Sequence, residues 1–406
     1  MAYRYYTSPV TVDRRRWAIL ALLFFSITIN LLDRQVLSLV APMLRDRFQL
    51  SNTQYSYIVT AFLLGLTLSQ VPAGILIDRW GARWGLPLLL LWWSAANALH
   101  AAASSVGSFS LFRFLLGMGE SGNYSAGVKV IAERFPARER ALAGGIFNTG
   151  SVVGALMAPP VIVWIATRHN WQLAFLLPSV LGLAWIVPWL LVYRGQPAAP
   201  GETQPAFAPL LRIRQVWGFL LVRALGGPVN HFYWYWLPEY LRRERGFSMD
   251  QIGVWAGLPF FFAGLGNVAG GWLSSFLLRR GATPDRARKT AFCAGLACCL
   301  ASAGVPGAPS GAAALALISV ASFGIGVYPA TWIGAATDVF PRQVAARVAG
   351  LAGLGEGIVN IVLTLATGVV VDRYSYYPVF AGAALLPALA VAALFVVVRR
   401  VEPVRV

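Results

Sequence analysis

Twelve long apolar runs dominate this chain, over roughly 17–41, 53–77, 84–103, 107–131, 141–166, 171–193, 215–241, 252–278, 288–305, 312–336, 345–371 and 376–398. At about 1.5 Å per residue each can cross some 30 Å of hydrocarbon as a helix. Many carry Gly and Pro, which membrane helices tolerate and use for close packing. Composition agrees: of 406 residues 57% are hydrophobic and 12% charged, and the mean hydropathy is +0.63. An ordinary soluble domain is about 25% charged, so charge is too sparse here to coat a water-soluble globule. Disorder is excluded by the apolar content. The class expected is an all-α polytopic membrane protein with twelve transmembrane helices.

The net charge of +17 could suggest a nucleic-acid partner. Such a partner needs basic residues gathered on one solvated face, whereas these sit in short loops between apolar runs. Four lie inside runs: Arg34, Arg113, Lys129 and Arg223. Alternate loops hold only Arg45, Arg47, Arg168, Arg242, Arg243, Arg245 and Arg373. The remaining two-thirds of the 33 Lys+Arg fall on the side of the termini. The bias of basic residues toward cytoplasmic loops therefore puts both termini in the cytoplasm and removes the need for nucleic acid. The run from Trp17 follows Arg14, Arg15 and Arg16 but is too long for a signal peptide, so it reads as a retained first span. Cys293, Cys298 and Cys299 share one apolar run and have no metal-ligand spacing. His100, His169 and His231 lie far apart, and neither a zinc-protease motif nor a Gly-rich nucleotide loop occurs. No metal, cofactor or enzymatic activity is expected.

The longest polar interruption, 194–214, is rich in Pro and Gly and reads as a linker. It separates an N-terminal unit (1–193) from a C-terminal unit (215–406), each with six spans. The halves repeat weakly: Phe135-Pro136 with Ala143-Gly144 answers Phe340-Pro341 with Ala349-Gly350, and Gly74-x-Leu76 answers Gly271-x-Leu273. Duplicated halves with a site between them are a common transporter plan. Gly74-x-Leu76-x-Asp78-Arg79-x-Gly81-x-Arg83, between spans two and three, resembles the signature loop of the major facilitator superfamily. Arg113-x-x-x-Gly117-x-Gly119-Glu120 and the Gly-rich fifth span (Gly145, Gly150, Gly154, Pro159-Pro160) strengthen that resemblance. Asn30-x-x-Asp33-Arg34-Gln35, Gly119-Glu120-x-x-Asn123 through Lys129 to Glu133-x-Phe135-Pro136, Trp236-x-Pro238 and Asp338-x-x-Pro341 are similar to its anion:cation symporter branch, and within that to hexuronate and sugar-acid carriers. The resemblance implies two six-helix bundles in the major facilitator fold, in an inner (cytoplasmic) membrane. The chain departs from the branch at Leu31 and Leu32, where an aromatic hydroxyl is usual, at Leu63–Leu66, at Ser275 and at Glu356. These departures favour a smaller or more apolar organic anion.

Ionisable groups within spans are costly and by default functional. Depth arithmetic brings Asp33 and Arg113 to similar levels, which makes an ion pair between them feasible, and puts Glu120 near the midplane. Burial in low dielectric favours the neutral form of a carboxyl group, so Asp33 and Glu120 are the expected proton carriers. Arg34 and Arg113 offer planar forks for a substrate carboxylate. Lys129, Asn148, Ser151, His231, Tyr235, Tyr328, Trp332, Glu356 and Asn360 are further candidates for the cavity wall. Asp78, Arg79, Arg83, Glu133 and Arg140 form an expected cytoplasmic latch between the halves that holds an outward-open state. The function expected is proton-coupled import of an organic anion, a hexuronate or related carboxylate, by alternating access in a monomer. The alternative is proton-driven efflux of amphipathic compounds, which counterflow of labelled glucuronate against that of a lipophilic cation distinguishes.

Overall fold

Helices occupy nearly all of the described chain, and no strand occurs among the described residues. The computed structural model describes residues 15–135, 137–194, 207–340 and 342–404, without the side chains of residues 78, 132, 137, 138, 140, 141, 207, 208, 342, 343 and 345–347. The first crossing is α1 (Arg15–Phe48). The next helix, α2 (Asn52–Leu99), makes two crossings because the chain turns back at Gly81, whose φ of 71° lies in the left-handed region. An L side chain is strained there, so glycine suits the position. Beyond the turn the two arms meet, and a Cβ on Gly85 would lie 3.2 Å from the Ile77 Cα. The fourth crossing is α3 (Val106–Glu120) plus α4 (Asn123–Arg134), interrupted at Ser121 and Gly122. The first half closes with α5 (Ala137–Arg168) and α6 (Trp171–Val192).

After the short α7 (Phe207–Leu210), the second half contains α8 (Arg214–Arg243), the pair α9 (Met249–Trp255) and α10 (Leu258–Arg279), and α11 (Pro284–Cys299). It ends with α12 (Gly311–Val339), α13 (Arg342–Arg373) and α14 (Tyr377–Ala393). Among the described residues, 8 segments are long and apolar enough to span a membrane on their own. The other crossings are short, broken or carry polar side chains, as α8 does with Arg223, Asn230 and His231. The 194–214 linker expected from sequence lies mostly outside the described residues.

The weak sequence repeat is a close structural repeat. Capping boxes open the second crossing (Ser51 with Gln54) and its counterpart (Ser248 with Gln251). Ser105 and Ser310 cap the fourth crossing and its counterpart. Phe135 and Phe340 end those crossings in matching extended conformations, φ −111° in both. Glycines allow backbone-to-backbone packing at equivalent places. A Cβ on Gly65 would lie 2.1 Å from the Phe114 carbonyl oxygen, and one on Gly117 would lie 2.2 Å from that of Phe62. In the second half Gly266 meets the Phe323 oxygen and Gly326 the Ala263 oxygen, each at 2.0 Å on the same construction. The result is two six-helix bundles. Their outward faces are apolar and exposed, with Leu191 at 74% and Val268 at 71%, as lipid contact requires. Polar groups are turned inward: Asp33, Arg113 and Glu120 are buried.

Among the described residues, the close contacts along two helix-pair seams between the halves lie toward one end. The terminal face is the side where α1 begins and the last helix ends; the distal face is the side where α1 passes into α2. On one seam, a Cβ on Gly368 would lie 2.5 Å from the Ser56 Oγ, and one on Gly357 2.7 Å from the Thr67 Oγ1. On the other, Cβ atoms on Gly253, Gly257 and Gly264 would lie 3.2–3.3 Å from Val163, Leu156 and Val152. Two helical turns nearer the terminal face, on the same helix faces, stand Gly74, Gly350 and Gly145, with nothing within 4 Å of an added Cβ. The bundles therefore diverge toward the terminal face and enclose a chamber open on that side.

Candidate functional site

Small residues let the fourth crossing pack closely against both arms of α2, and its carboxylate reaches α1. Gly117 packs on α2 on one side, and Gly119 lies against Trp92 and Trp93 on the other, where a Cβ would come within 2.7 Å. α3 ends at Glu120, whose Oε2 accepts from both Nε (3.0 Å) and Nη2 (2.9 Å) of Arg34. The Glu120 side chain is wholly buried and that of Arg34 is 14% exposed. Among the described residues Glu120 Oε1 has no hydrogen-bond donor. Asn30, one turn earlier on α1, accepts from Arg34 Nη2 at 3.4 Å.

Arg113 stands on the same helix as Glu120 and points its guanidinium at the Arg34 carbonyl, 3.4 Å from each Nη. The Phe62 ring lies 5.3 Å from the Arg34 guanidinium carbon and 5.6 Å from that of Arg113, so one aromatic ring serves both cations. Asp33 makes no ion pair with Arg113, contrary to the pairing expected from depth. Its Oδ1 accepts from Asn97 Nδ2 at 2.7 Å, and that amide also meets the Phe175 carbonyl and Ser179 Oγ. Adjacent residues on a helix differ by about 100° in azimuth. Arg34 therefore faces the fourth crossing, while Asp33 faces the third and sixth.

The second half contributes one stripe of α8, with Arg223, Gly227, His231 and Tyr235 spaced four apart. Tyr235 covers the chamber on its distal side: its carbonyl accepts from Tyr55 Oη at 2.7 Å, and its ring lies 6.4 Å from Phe62. The buried Tyr235 hydroxyl has no partner among the described residues. His231 Nδ1 lies 3.3 Å from Asn360 Nδ2 on α13. One turn away on α13, Glu356 accepts from Arg223 Nε at 2.6 Å. The Arg223 guanidinium carbon lies 5.4 Å from the Trp332 ring, and the indole Nε1 of Trp332 donates to the Phe219 carbonyl at 3.0 Å. Gly227 makes room for the glutamate, since a Cβ there would lie 2.2 Å from Glu356 Oε1. Two of these arginines, Arg34 and Arg223, thus pair with Glu120 and Glu356, while Arg113 and Asp33 lie buried close by.

Other expected site residues lie farther from this cluster. Asn148 is exposed and Ser151 half-buried on α5, next to the Val152 contact. Lys129 reaches the Ile77 carbonyl at 3.3 Å, near the terminal end of the second crossing. Tyr328 donates to the Pro387 carbonyl, a contact within its own bundle. Of the expected latch, Glu133 accepts from Tyr193 Oη at 2.8 Å in its own half. Arg83 stacks on Trp84, and Arg79 is exposed. The side chains of Asp78 and Arg140 lie outside the described residues.

Among the described residues, ion pairs between the halves occur at the distal face. The wholly buried Glu239 of α8 accepts from Arg45 of α1 and from Arg243, and Arg243 also reaches Asp46. Asp372 of α13 caps α2 across the interface: it accepts from the backbone N–H of Asn52 (2.9 Å) and Thr53 (2.7 Å), and from both side chains. Sequence reasoning placed Arg45 and Arg243 in loops without a role. The available signal was a basic residue in the last turn of a helix in each half.

Two helical bundles around a chamber with an arginine–glutamate pair in each half, in a hydrocarbon-facing shell, define a membrane transporter rather than an enzyme. The chain belongs to the Major Facilitator Superfamily, which it matches over residues 23–364. It is 28% identical over 413 residues to the hexuronate transporter of Escherichia coli (strain K12), covering 96% of both chains. It is 30% identical over 409 residues to the hexuronate transporter of Bacillus subtilis (strain 168), covering 95% of this chain and 94% of the relative. Among solved structures, a bacterial homolog of the human lysosomal transporter Spinster, inward-facing and occupied, superposes with a TM-score of 0.78 at 18% identity, over 96% of this chain and 98% of that one. A D-xylose-proton symporter superposes with a TM-score of 0.68 at 18% identity, over 93% of this chain and 96% of that one.

Proposed function

We propose that this chain is a proton-coupled symporter that imports an organic anion, a hexuronate or related sugar acid, across a bacterial inner membrane. The observation that carries the reading is the buried Arg34–Glu120 pair beside Asp33, inside the first of the two bundles. The names of the relatives favour a sugar acid over an amphipathic efflux substrate. In this reading both termini and the open terminal face are cytoplasmic, and the protein works as a monomer. The units 1–193 and 215–406, joined by 194–214, rock around the site.

Glu120 occupies the fork that a substrate carboxylate needs. A proton on Glu120 removes its charge and frees Arg34 to take the substrate as a bidentate partner. Asp33, one residue away on α1, binds the second proton. Arg113 and Phe62 hold Arg34 in position. Lys129, Asn148, Ser151, His231, Tyr235, Trp332, Glu356 and Asn360 supply polar and aromatic walls for the hydroxylated body. Asp78, Arg79, Arg83, Glu133 and Arg140 join the halves at the cytoplasmic face when the distal face opens. Charge balance ties the ions together, because a monoanion entering a neutral chamber calls for one proton. A second proton makes the loaded step electrogenic, worth about 2.3 kcal/mol per 100 mV.

The test is uptake of labelled glucuronate into proteoliposomes under an imposed pH gradient. Asp33→Asn and Glu120→Gln are expected to abolish concentrative uptake, while at least one of them retains counterflow. Concentrative import that survives neutralisation of both carboxyl groups overturns the reading.

A further inference from the structure

We propose that Arg223 and Glu356 form a second carboxylate subsite, so that the preferred substrate is a dicarboxylate of six-carbon length with one acid group on each half of the carrier. This inference rests on the sugar-acid reading and narrows it. The two bundles each present one arginine–glutamate pair to the chamber, with the same chemistry. Arg34 meets Glu120 at 2.9 Å, and Arg223 meets Glu356 at 2.6 Å. The second pair is the more open, with side-chain exposures of 38% and 18%, so a solute entering from the terminal face reaches it directly. An isolated guanidinium beside Trp332 needs an anion, and Glu356 supplies it while the chamber is empty.

The spacing suits a two-ended ligand. Glu239 of α8 meets Arg45 of α1, which sets the register between those helices. Arg34 stands eleven residues below Arg45, about 16 Å along α1, and Arg223 stands sixteen below Glu239, about 24 Å along α8. The two guanidinium groups are therefore offset by roughly 8 Å along the membrane normal. In an extended six-carbon diacid, carbon–carbon bonds of about 1.5 Å put the carboxyl carbons about 6 Å apart. The charge-assisted bonds at both ends extend that reach. At the Arg34 end of the site the α8 stripe offers His231 and Tyr235, and α13 offers Asn360, whose buried Oδ1 has no donor among the described residues. These groups are donors and acceptors for hydroxyls near the ligand's Arg34 end. A monoacid fills one fork and leaves Arg223 to Glu356. A diacid displaces both glutamates, each of which then takes a proton, so the loaded chamber stays neutral.

The experiment is equilibrium binding to the purified full chain by calorimetry, comparing D-glucarate with D-gluconate and D-glucuronate at one slightly acidic pH. The readout is the ratio of affinities within each variant, which is independent of the folded fraction. In the wild type the diacid is expected to bind at least tenfold more tightly than either monoacid. Arg223→Gln brings the ratio to about one, Arg223→Lys keeps an intermediate ratio, and Glu356→Gln raises it. Equal affinity for mono- and diacids in the wild type, or a ratio untouched by Arg223→Gln, overturns the second subsite and leaves the sugar-acid reading standing. Failure of all three acids to bind the wild type overturns the sugar-acid reading and this inference with it.

Discussion

At the distal end the bundles are joined by Glu239 between Arg45 and Arg243, by the Asp372 cap on α2, and by glycines whose missing Cβ atoms let helices touch. At the terminal end the same helix faces continue with Gly74, Gly350 and Gly145, which touch nothing. Two seams thus run the length of the interface in one small-residue chemistry, engaged at one end and idle at the other. Idle glycines on a face that is elsewhere a contact make sense if that face also closes in another conformation. The difference between the ends lies in charge: ion pairs around the buried Glu239 hold the closed one. A bundle pair with matched seams and unequal locks has two favoured arrangements, and the locks decide which is populated.

The largest effect should come from the buried lock. Glu239→Gln leaves Arg45 and Arg243 without their shared anion, and breaking a buried pair from one side costs about 3 kcal/mol or more. That corresponds to a shift of a hundredfold or more toward a form open at the distal face. Spin labels at Gln49 and Arg242 are expected to report a longer separation in the variant; an unchanged distance distribution would show that the pairs do not set the closure. A smaller effect is expected at the idle end. Gly350→Leu has room in the present arrangement and replaces a poor helix former, so the melting temperature should hold or rise. Uptake should fall about tenfold, because the side chain blocks closure against the second crossing; uptake at the wild-type rate would mean this face never closes. The smallest is Asp372→Asn, which keeps some hydrogen bonds and loses the charge at a helix N-terminus. A cap is worth about 1 kcal/mol, so the same spin labels should show a shift of only a few-fold, and a shift as large as that of Glu239→Gln would reverse the ranking.

The sequence makes depth legible and leaves azimuth open. Residue counting from the ends of the apolar runs brings Asp33, Arg34, Arg113 and Glu120 to one region of the chamber. It cannot say which way each side chain points, and so it pairs Asp33 with Arg113, whereas Glu120 takes Arg34 and Asn97 takes Asp33. The answer depends on the rotation of the fourth crossing about its axis, which Gly117 and Gly119 fix by packing against the two arms of α2. The latch is a different case. Loop charges at Asp78, Arg79 and Glu133 suggest closure at the terminal face, whereas the ion pairs that join the halves among the described residues lie at the opposite face. A carrier's sequence has to serve every arrangement it visits, whereas one set of coordinates holds a single arrangement. Arg223 was visible as a cation in a span, yet its partner Glu356 lies 133 residues later and only folding joins them.

The equal number of guanidinium groups (Arg34, Arg113, Arg223) and carboxyl groups (Asp33, Glu120, Glu356) has an electrical meaning. With all six ionised, an empty carrier swinging back carries no net charge across the field, so the return stroke is blind to voltage. Any dependence of turnover on membrane potential must then arise while cargo and protons are aboard.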